Sequence, residues 1–133
     1  AMAVLFIEYP KCSTCKKAKK GLVGRGVAFE ERDVVAQNPT ADELRAWREQ
    51  SGLPLRRFFN TSGMLYRELG VTQRLDEGMS DAEAYALLAS DGMLVKRPLL
   101  IVDGVPATPG FREAEWAEAL GGGRAASAPD AAS

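Results

Sequence analysis

Beginning at Val4, the run Val4-Leu5-Phe6-Ile7-Glu8-Tyr9 has the length and the β-branched and aromatic content of a buried strand, and Pro10 closes it. From Ser13 onward the apolar residues fall at helical spacing. A chain that passes from strand to helix through so short a turn leaves the turn residues at the helix N-terminus. Those residues are Cys12-Ser13-Thr14-Cys15, which hold both cysteines of the sequence.

A helix N-terminus presents unpaired N–H groups and the positive end of the macrodipole, and both favour a thiolate over a thiol. Lys11, Lys16 and Lys17 add positive charge that solvent partly screens. A free cysteine with a pKa of about 8.5 is roughly 3% thiolate at pH 7, whereas one lowered to about 6.5 is roughly 75% thiolate. Cys12 is therefore the expected nucleophile. The three-residue step to Cys15 sets the second sulfur on the same helix face, one turn further in and within disulfide reach. Cys15, Ala18, Lys19 and Leu22 form an i, i+3, i+4, i+7 set, which makes Cys15 the less exposed thiol and the expected resolving partner. Lys11, Ser13 and Thr14 complete the turn and are expected substrate contacts.

Two other readings fit the same spacing. One is a pair of packed cysteines without chemistry, which a strand-to-helix turn makes the weaker reading. The other is zinc, but structural zinc wants four ligands drawn from Cys and His, and the sequence has no third Cys and no His. Only a site shared between two chains would complete the set, so no metal is expected. The lack of histidine also removes Cys-His pairs and Ser-His-Asp triads.

The chain has 133 residues, 46% of them hydrophobic, enough for one core that buries roughly two-thirds of the unfolded surface. A net charge of −1 and a pI of about 5.6 give no reason to expect nucleic acid or an anionic membrane as a partner. Charge is uneven, because residues 1–25 carry Lys11, Lys16, Lys17, Lys19, Lys20 and Arg25 against Glu8 alone. That excess reads as a solvated helix face or a binding patch. No stretch approaches 18 apolar residues and the start lacks the features of a secretory signal, so the expected location is cytoplasmic. Cytoplasmic thiols are kept reduced, which makes a vicinal pair catalytic or sensing rather than structural.

The remaining segments place the turn in a fold. Gly24-Arg25-Gly26 stops the first helix, and residues 27–34 offer a second strand, giving a βαβ unit with a right-handed crossover. Thr40 with Glu43 makes a capping box for a helix reaching about Ser51, and Leu53-Pro54 interrupts it. Helical pieces follow at 55–59 and 63–69, ended by Gly70, and Ser80 with Glu83 caps another through Leu88. Sheet character returns at 98–102. Asp103-Gly104 is a strong hairpin signal, Val105 to Thr108 the return strand, and Glu113 through Leu120 a closing helix. The order βαβ, helical block, ββα predicts an α/β fold: a thioredoxin-like, four-stranded mixed sheet with an all-helical insertion. The expected domain spans residues 1–120 with the insertion at about 40–95, and residues 121–133 read as a flexible tail.

Arg97-Pro98 lies just before the third strand, where such sheets place a proline facing the cysteine turn. A cis peptide is expected there, with the Arg97 guanidinium steadying an anion at Cys12 and Pro98 contributing to the substrate site. A trans proline at a strand start is the alternative.

Three motifs in order then carry a resemblance: Lys11-Cys12-Ser13-Thr14-Cys15-Lys16-Lys17-Ala18; Phe58-Phe59-Asn60-Thr61-Ser62-Gly63 with Tyr66-Arg67-Glu68-Leu69-Gly70; and Lys96-Arg97-Pro98-Leu99-Leu100-Ile101 with Gly110-Phe111-Arg112-Glu113. Over residues 3–120 the chain resembles the arsenate reductase-like ArsC/Spx/YffB family, through the second motif most closely its YffB-like branch. The resemblance implies a nucleophilic cysteine at Cys12 and a cis-proline preceded by arginine at Arg97-Pro98. It also implies a choice of function. The arsenate reductases of the family hold their oxyanion with three arginines, of which this chain is expected to keep only Arg97, with Asn60 and Gly110 at the other two positions. Each lost cation removes a charged hydrogen bond worth about 1.5–3 kcal/mol. The Spx-type regulators use the cysteine pair as a redox switch and bind the RNA polymerase α subunit without reading DNA directly, with Gly52 as a loose counterpart of their contact glycine.

The leading expectation is a cytoplasmic thiol-disulfide oxidoreductase in which Cys12 attacks, Cys15 resolves and Arg97 steadies the anion, with Asn60 as a further substrate contact. No bound cofactor is expected. Glutathione or another low-molecular-weight thiol is an expected co-substrate, and thioredoxin or glutaredoxin an expected reductant. A redox-switched regulator partnered by RNA polymerase α is the alternative, and arsenate reduction ranks third.

Overall fold

The computed structural model describes residues 2–121, so the expectation of a flexible tail falls, apart from Gly121, outside the described residues. Four strands, β1 (Val4–Glu8), β2 (Glu30–Asp33), β3 (Leu99–Val102) and β4 (Val105–Pro106), form one sheet in the order β2-β1-β3-β4. β1 runs parallel to β2 and antiparallel to β3, and β4 returns antiparallel from β3. This is the mixed sheet that the element order predicts.

α1 (Ser13–Gly24) makes the crossover from β1 to β2. It ends where the N–H groups of Arg25 and Gly26 turn back onto the carbonyls of Gly21, Leu22 and Val23. Gly26 takes φ +71°, a left-handed conformation that glycine adopts without a Cβ penalty. Between β2 and β3 lie α2 (Ala41–Ser51), a 3-10 turn (Leu55–Phe58), α3 (Met64–Glu68), α4 (Val71–Asp76), α5 (Asp81–Ser90) and a second 3-10 turn (Gly92–Leu94). α6 (Glu113–Ala119) closes the described chain.

Side-chain alternation on the strands divides the core into two layers. Val4 and Phe6 of β1, with Leu100 of β3, pack against Ala18 and Leu22 of α1 and Trp116 and Leu120 at α6. Ile7, Leu99 and Ile101 face the other way, onto Leu44, Trp47, Phe58, Phe59, Leu88 and Leu94 of the helical block. Apolar transfer at about 25 cal/mol per Å² of buried surface makes each layer the main local source of stability.

Thr40 and Glu43 form the expected capping box, and Glu43 adds a fork to Arg32 of β2 at 2.7 and 2.8 Å. This pairing holds the carboxyl of Glu43 below the usual range. At α5 the Ser80 hydroxyl accepts from the Glu83 N–H, but the Glu83 carboxylate reaches Arg74 instead of closing the box. Three local expectations change. β2 begins only at Glu30 rather than Val27, because Val27 and Phe29 pack against the α1 layer before the ladder forms. β4 is a regular strand only over Val105–Pro106 rather than to Thr108, with one further bond from the Ala107 N–H to the Leu100 carbonyl at 2.9 Å. Gly70 ends the 63–69 piece as expected, but at φ +61° it also turns the chain directly into a further helix, α4, that the pattern does not announce.

Candidate active site

The turn out of β1 is closed by the Cys12 N–H donating to the Tyr9 carbonyl at 3.0 Å. Cys12 is the N-cap of α1 in extended conformation, φ −92° and ψ 122°, and its carbonyl accepts the first helical bond, from Lys16 at 3.1 Å. Burial opposes ionisation of its half-buried thiol. Hydrogen bonding from the Cys15 N–H and thiol and the Thr14 N–H, with the charge of Arg97, outweighs that and lowers the Cys12 pKa. The helix start thus does what the sequence suggests, and the helping cation is Arg97 from across the cleft.

Cys15, one turn further in, is 1% exposed. Burial pushes its thiol up to about 12, against the Tyr9 N–H that donates to its Sγ at 3.5 Å; the neighbouring Cys12 and Glu8 push it further up. One helical turn therefore carries a thiol inclined to ionise and a thiol held protonated, close enough to hydrogen-bond to each other.

The Arg97–Pro98 peptide is cis, as expected. The Arg97 guanidinium donates to the carbonyls of Met93 at 3.1 Å and Val95 at 3.3 Å and lies 5.2 Å from the centre of the Tyr9 ring. It is fixed from two sides. Pro98 is buried, and its carbonyl accepts from the Gly110 N–H at 3.0 Å. Asn60 reaches the same region because residues 58–60 are laced to 94–96: Asn60 N–H to Leu94 O at 2.7 Å, Lys96 N–H to Phe58 O at 2.8 Å, and a bridge between Phe59 and Val95. Asn60 is 9% exposed, its amide nitrogen directed to the Met93 carbonyl at 3.5 Å.

These pieces surround an open cleft of about 1020 Å³. Of the expected residues, Cys12, Thr14, Asn60 and Arg97 line it, Cys15 lies beneath it, and Lys11 and Ser13 are exposed beside it without lining it. Sequence reasoning missed Lys96 and Arg112, which share the lining with Glu68, Met64, Met93 and Phe111. Gly110 takes φ +103°, and a Cβ there would come within 3.3 Å of the Lys96 Cε, so the bare backbone leaves room for that side chain. Arg112, two residues on from Gly110, brings a cation to that wall of the cleft. Its signal was present in the stretch Gly110-Phe111-Arg112, but only the fold shows which residue of that loop meets the cleft.

Known proteins give this arrangement a context. The sequence is 50% identical over 117 residues to the uncharacterised protein YusI of Bacillus subtilis, covering 88% of this chain and 98% of that one. It is 28% identical over 114 residues to the global transcriptional regulator Spx of Streptococcus pyogenes, covering 86% and 81%. A crystal structure of a Bacteroides fragilis protein provisionally described as ArsC family related superposes with a TM-score of 0.83 at 46% identity, covering 90% of this chain and 98% of that one. The arsenate reductase of Vibrio cholerae superposes at 0.74 with 25% identity, covering 91% and 98%. The profile of the ArsC family matches residues 7–119, from the end of β1 to the end of α6. With the family profile spanning almost the whole described chain and a relative 50% identical over 117 residues, this chain belongs to the ArsC family.

Proposed function

We propose that the protein is a thiol-disulfide oxidoreductase working through Cys12 and Cys15. The observation that carries the reading is the opposite bias of two thiols on one helical turn, one favouring thiolate and the other held as thiol. An outer thiolate attacks a disulfide R–S–S–R′, forming Cys12–S–S–R and releasing R′S⁻. The Cys15 sulfur, once deprotonated, attacks Cys12 Sγ, forming the Cys12–Cys15 disulfide and releasing RS⁻. Arg97 steadies the anion at Cys12 during both steps. Thr14 and Asn60 contact the substrate within the cleft, with Lys11 and Ser13 exposed beside it and Pro98 buried behind it. Two electrons from an external thiol, of the glutathione, glutaredoxin or thioredoxin kind, return the pair to the reduced state in a reducing, cytoplasmic compartment. If Cys12→Ser keeps full reductase activity toward a small mixed disulfide, the assignment fails.

Similarity to the Spx regulators favours a second reading, a redox-switched adaptor for the RNA polymerase α subunit. The basic run from Lys11 to Arg25 would serve as part of the docking face. Capture of the α subunit in only one redox state of the Cys12–Cys15 pair supports it; no capture in either state removes it.

A further inference from the structure

Alternation along β1 sends Val4, Phe6 and Glu8 to the α1 side of the sheet and Leu5, Ile7 and Tyr9 to the other. Val4 and Phe6 meet Ala18 and Leu22 of α1. Glu8 continues that stripe to the end of the strand, under the first turns of α1, where the buried position is Cys15 and Lys19 lies exposed at the helix edge. Only 7% of Glu8 is exposed, and it receives no ion-pair partner among the described residues. Lys19 passes it by to pair with Glu31 of β2 at 2.9 Å. Asp33, beside Glu8 in the ladder, is occupied by the N–H groups of Val35 and Ala36 at 2.8 and 3.1 Å.

A buried carboxylate without a cation is disfavoured against its protonated form, so it takes up a proton more readily than an exposed one. A proton donor is at hand. Cys15 cannot attack while it remains a thiol, and no histidine exists to deprotonate it. We propose that Glu8 is the proton acceptor for Cys15 in the resolving step. This rests on the oxidoreductase reading above and adds the residue that makes its second half run near neutral pH.

In the first step Cys12–S⁻ takes R from the disulfide R–S–S–R′. That removes the negative charge beside Cys15, one of the influences holding its proton in place. The proton then passes from Cys15 Sγ to the Glu8 carboxylate, directly or through one water, leaving Cys15–S⁻ and Glu8–COOH. The Cys15 thiolate attacks Cys12 Sγ, and RS⁻ leaves. The groups facing Glu8 are Cys15 and Lys19 of α1 and Glu31 and Asp33 of β2. Burial first, and then Glu31 and Asp33, raise its carboxyl above the usual range, which brings its basicity toward that of the thiol it serves.

The aromatic disulfide 5,5′-dithiobis(2-nitrobenzoate) separates the steps on one absorbance trace. A first equivalent of coloured thiolate leaves when Cys12 attacks and a second when Cys15 resolves. For Glu8→Gln we expect an unchanged first phase, a second phase at least about tenfold slower at pH 7, and a second-phase rate that climbs steadily with pH instead of levelling off. Glu8→Asp, which keeps the carboxylate but draws it back, should restore part of the rate. Circular dichroism and tryptophan fluorescence verify folding, and Gln removes a charge that burial already disfavours. Equal second phases with equal pH profiles in wild type and Glu8→Gln overturn the proposal while leaving the cysteine chemistry intact. A wild-type protein that never releases the second equivalent overturns the exchange reading and the role of Glu8 with it.

Discussion

The Tyr9 N–H donates to Cys15 Sγ at 3.5 Å, while the Tyr9 carbonyl receives the Cys12 N–H at 3.0 Å, so a single residue at the end of β1 binds both cysteines through its backbone. Neither bond depends on the Tyr9 side chain, which is free to carry the Arg97 guanidinium at 5.2 Å. One residue thereby connects nucleophile, resolving thiol and cation.

The two thiols should differ sharply in reactivity. With iodoacetamide at pH 7, Cys15→Ser is expected to be alkylated at a rate close to wild type, and Cys12→Ser at least about tenfold more slowly, since both thiolate fraction and access fall. Mass spectrometry of the peptide that holds both residues measures this. Equal rates would remove the asymmetry on which the chemistry depends.

The raised pKa of Cys15 makes stability fall in alkali. Between the ordinary thiol value of about 8.5 and about 12 the folded protein keeps a proton that the unfolded chain gives up. Cys15 therefore contributes stability below the unfolded value that is lost as pH rises through this window, at about 1.4 kcal/mol per pH unit. Cys12 has the opposite sign: its contribution is present above the unfolded value and lost as pH falls through its lowered folded value. Urea unfolding at pH 8.5, 9.5 and 10.5 should show the alkaline decline in wild type and a shallower one in Cys15→Ala.

Arg97→Ala removes two hydrogen bonds to the carbonyls of Met93 and Val95 and the charge facing Cys12. A loss of about 1–3 kcal/mol in stability is expected, with a Cys12 pKa moved upward. Arg97→Lys should recover little of either, since an ammonium cannot reproduce the planar fork over Tyr9. Unfolding curves and thiolate absorbance at 240 nm report the two effects separately.

Gly92 begins the 3-10 turn before β3, and a methyl there would run into the backbone carbonyl of Val34. Gly92→Ala should cost at least about 3 kcal/mol, because backbone rather than a flexible side chain blocks the space. Thermal unfolding measures it, and a shift within about 2 °C would show that the segments move apart cheaply.

What the sequence disclosed depended on how local each signal was. The strand run from Val4, the helical spacing of Cys15, Ala18 and Leu22, the Thr40–Glu43 box and the Asp103-Gly104 turn act within a few residues, and each is found where the pattern puts it. α4 went unseen because a glycine after a helix reads as an end, whereas the left-handed Gly70 only redirects the chain. The cleft was legible on the cysteine side and at Arg97. Its opposite wall gathers residues near 62, 96 and 112, and no local pattern reports that three such segments meet. Lys96 and Arg112 therefore carry no local sign in the sequence that they face one cleft.

Those two cations bear on arsenate. Lys96, Arg97 and Arg112 line one cleft, while the neutral Asn60 stands where the arsenate-reducing relatives are expected to carry a cation. Arsenate-dependent oxidation of a supplied thiol is expected to be slow, and Asn60→Arg should raise it. A fast wild-type rate would make arsenate reduction the leading function.

The central claim is that the start of α1 holds Cys12 as a thiolate near neutral pH. The direct measurement is the pH dependence of iodoacetamide alkylation at Cys12 in Cys15→Ser, where no second thiol contributes. The account predicts a midpoint clearly below the value of about 8.5 for a free cysteine. A midpoint at or above it would contradict the account.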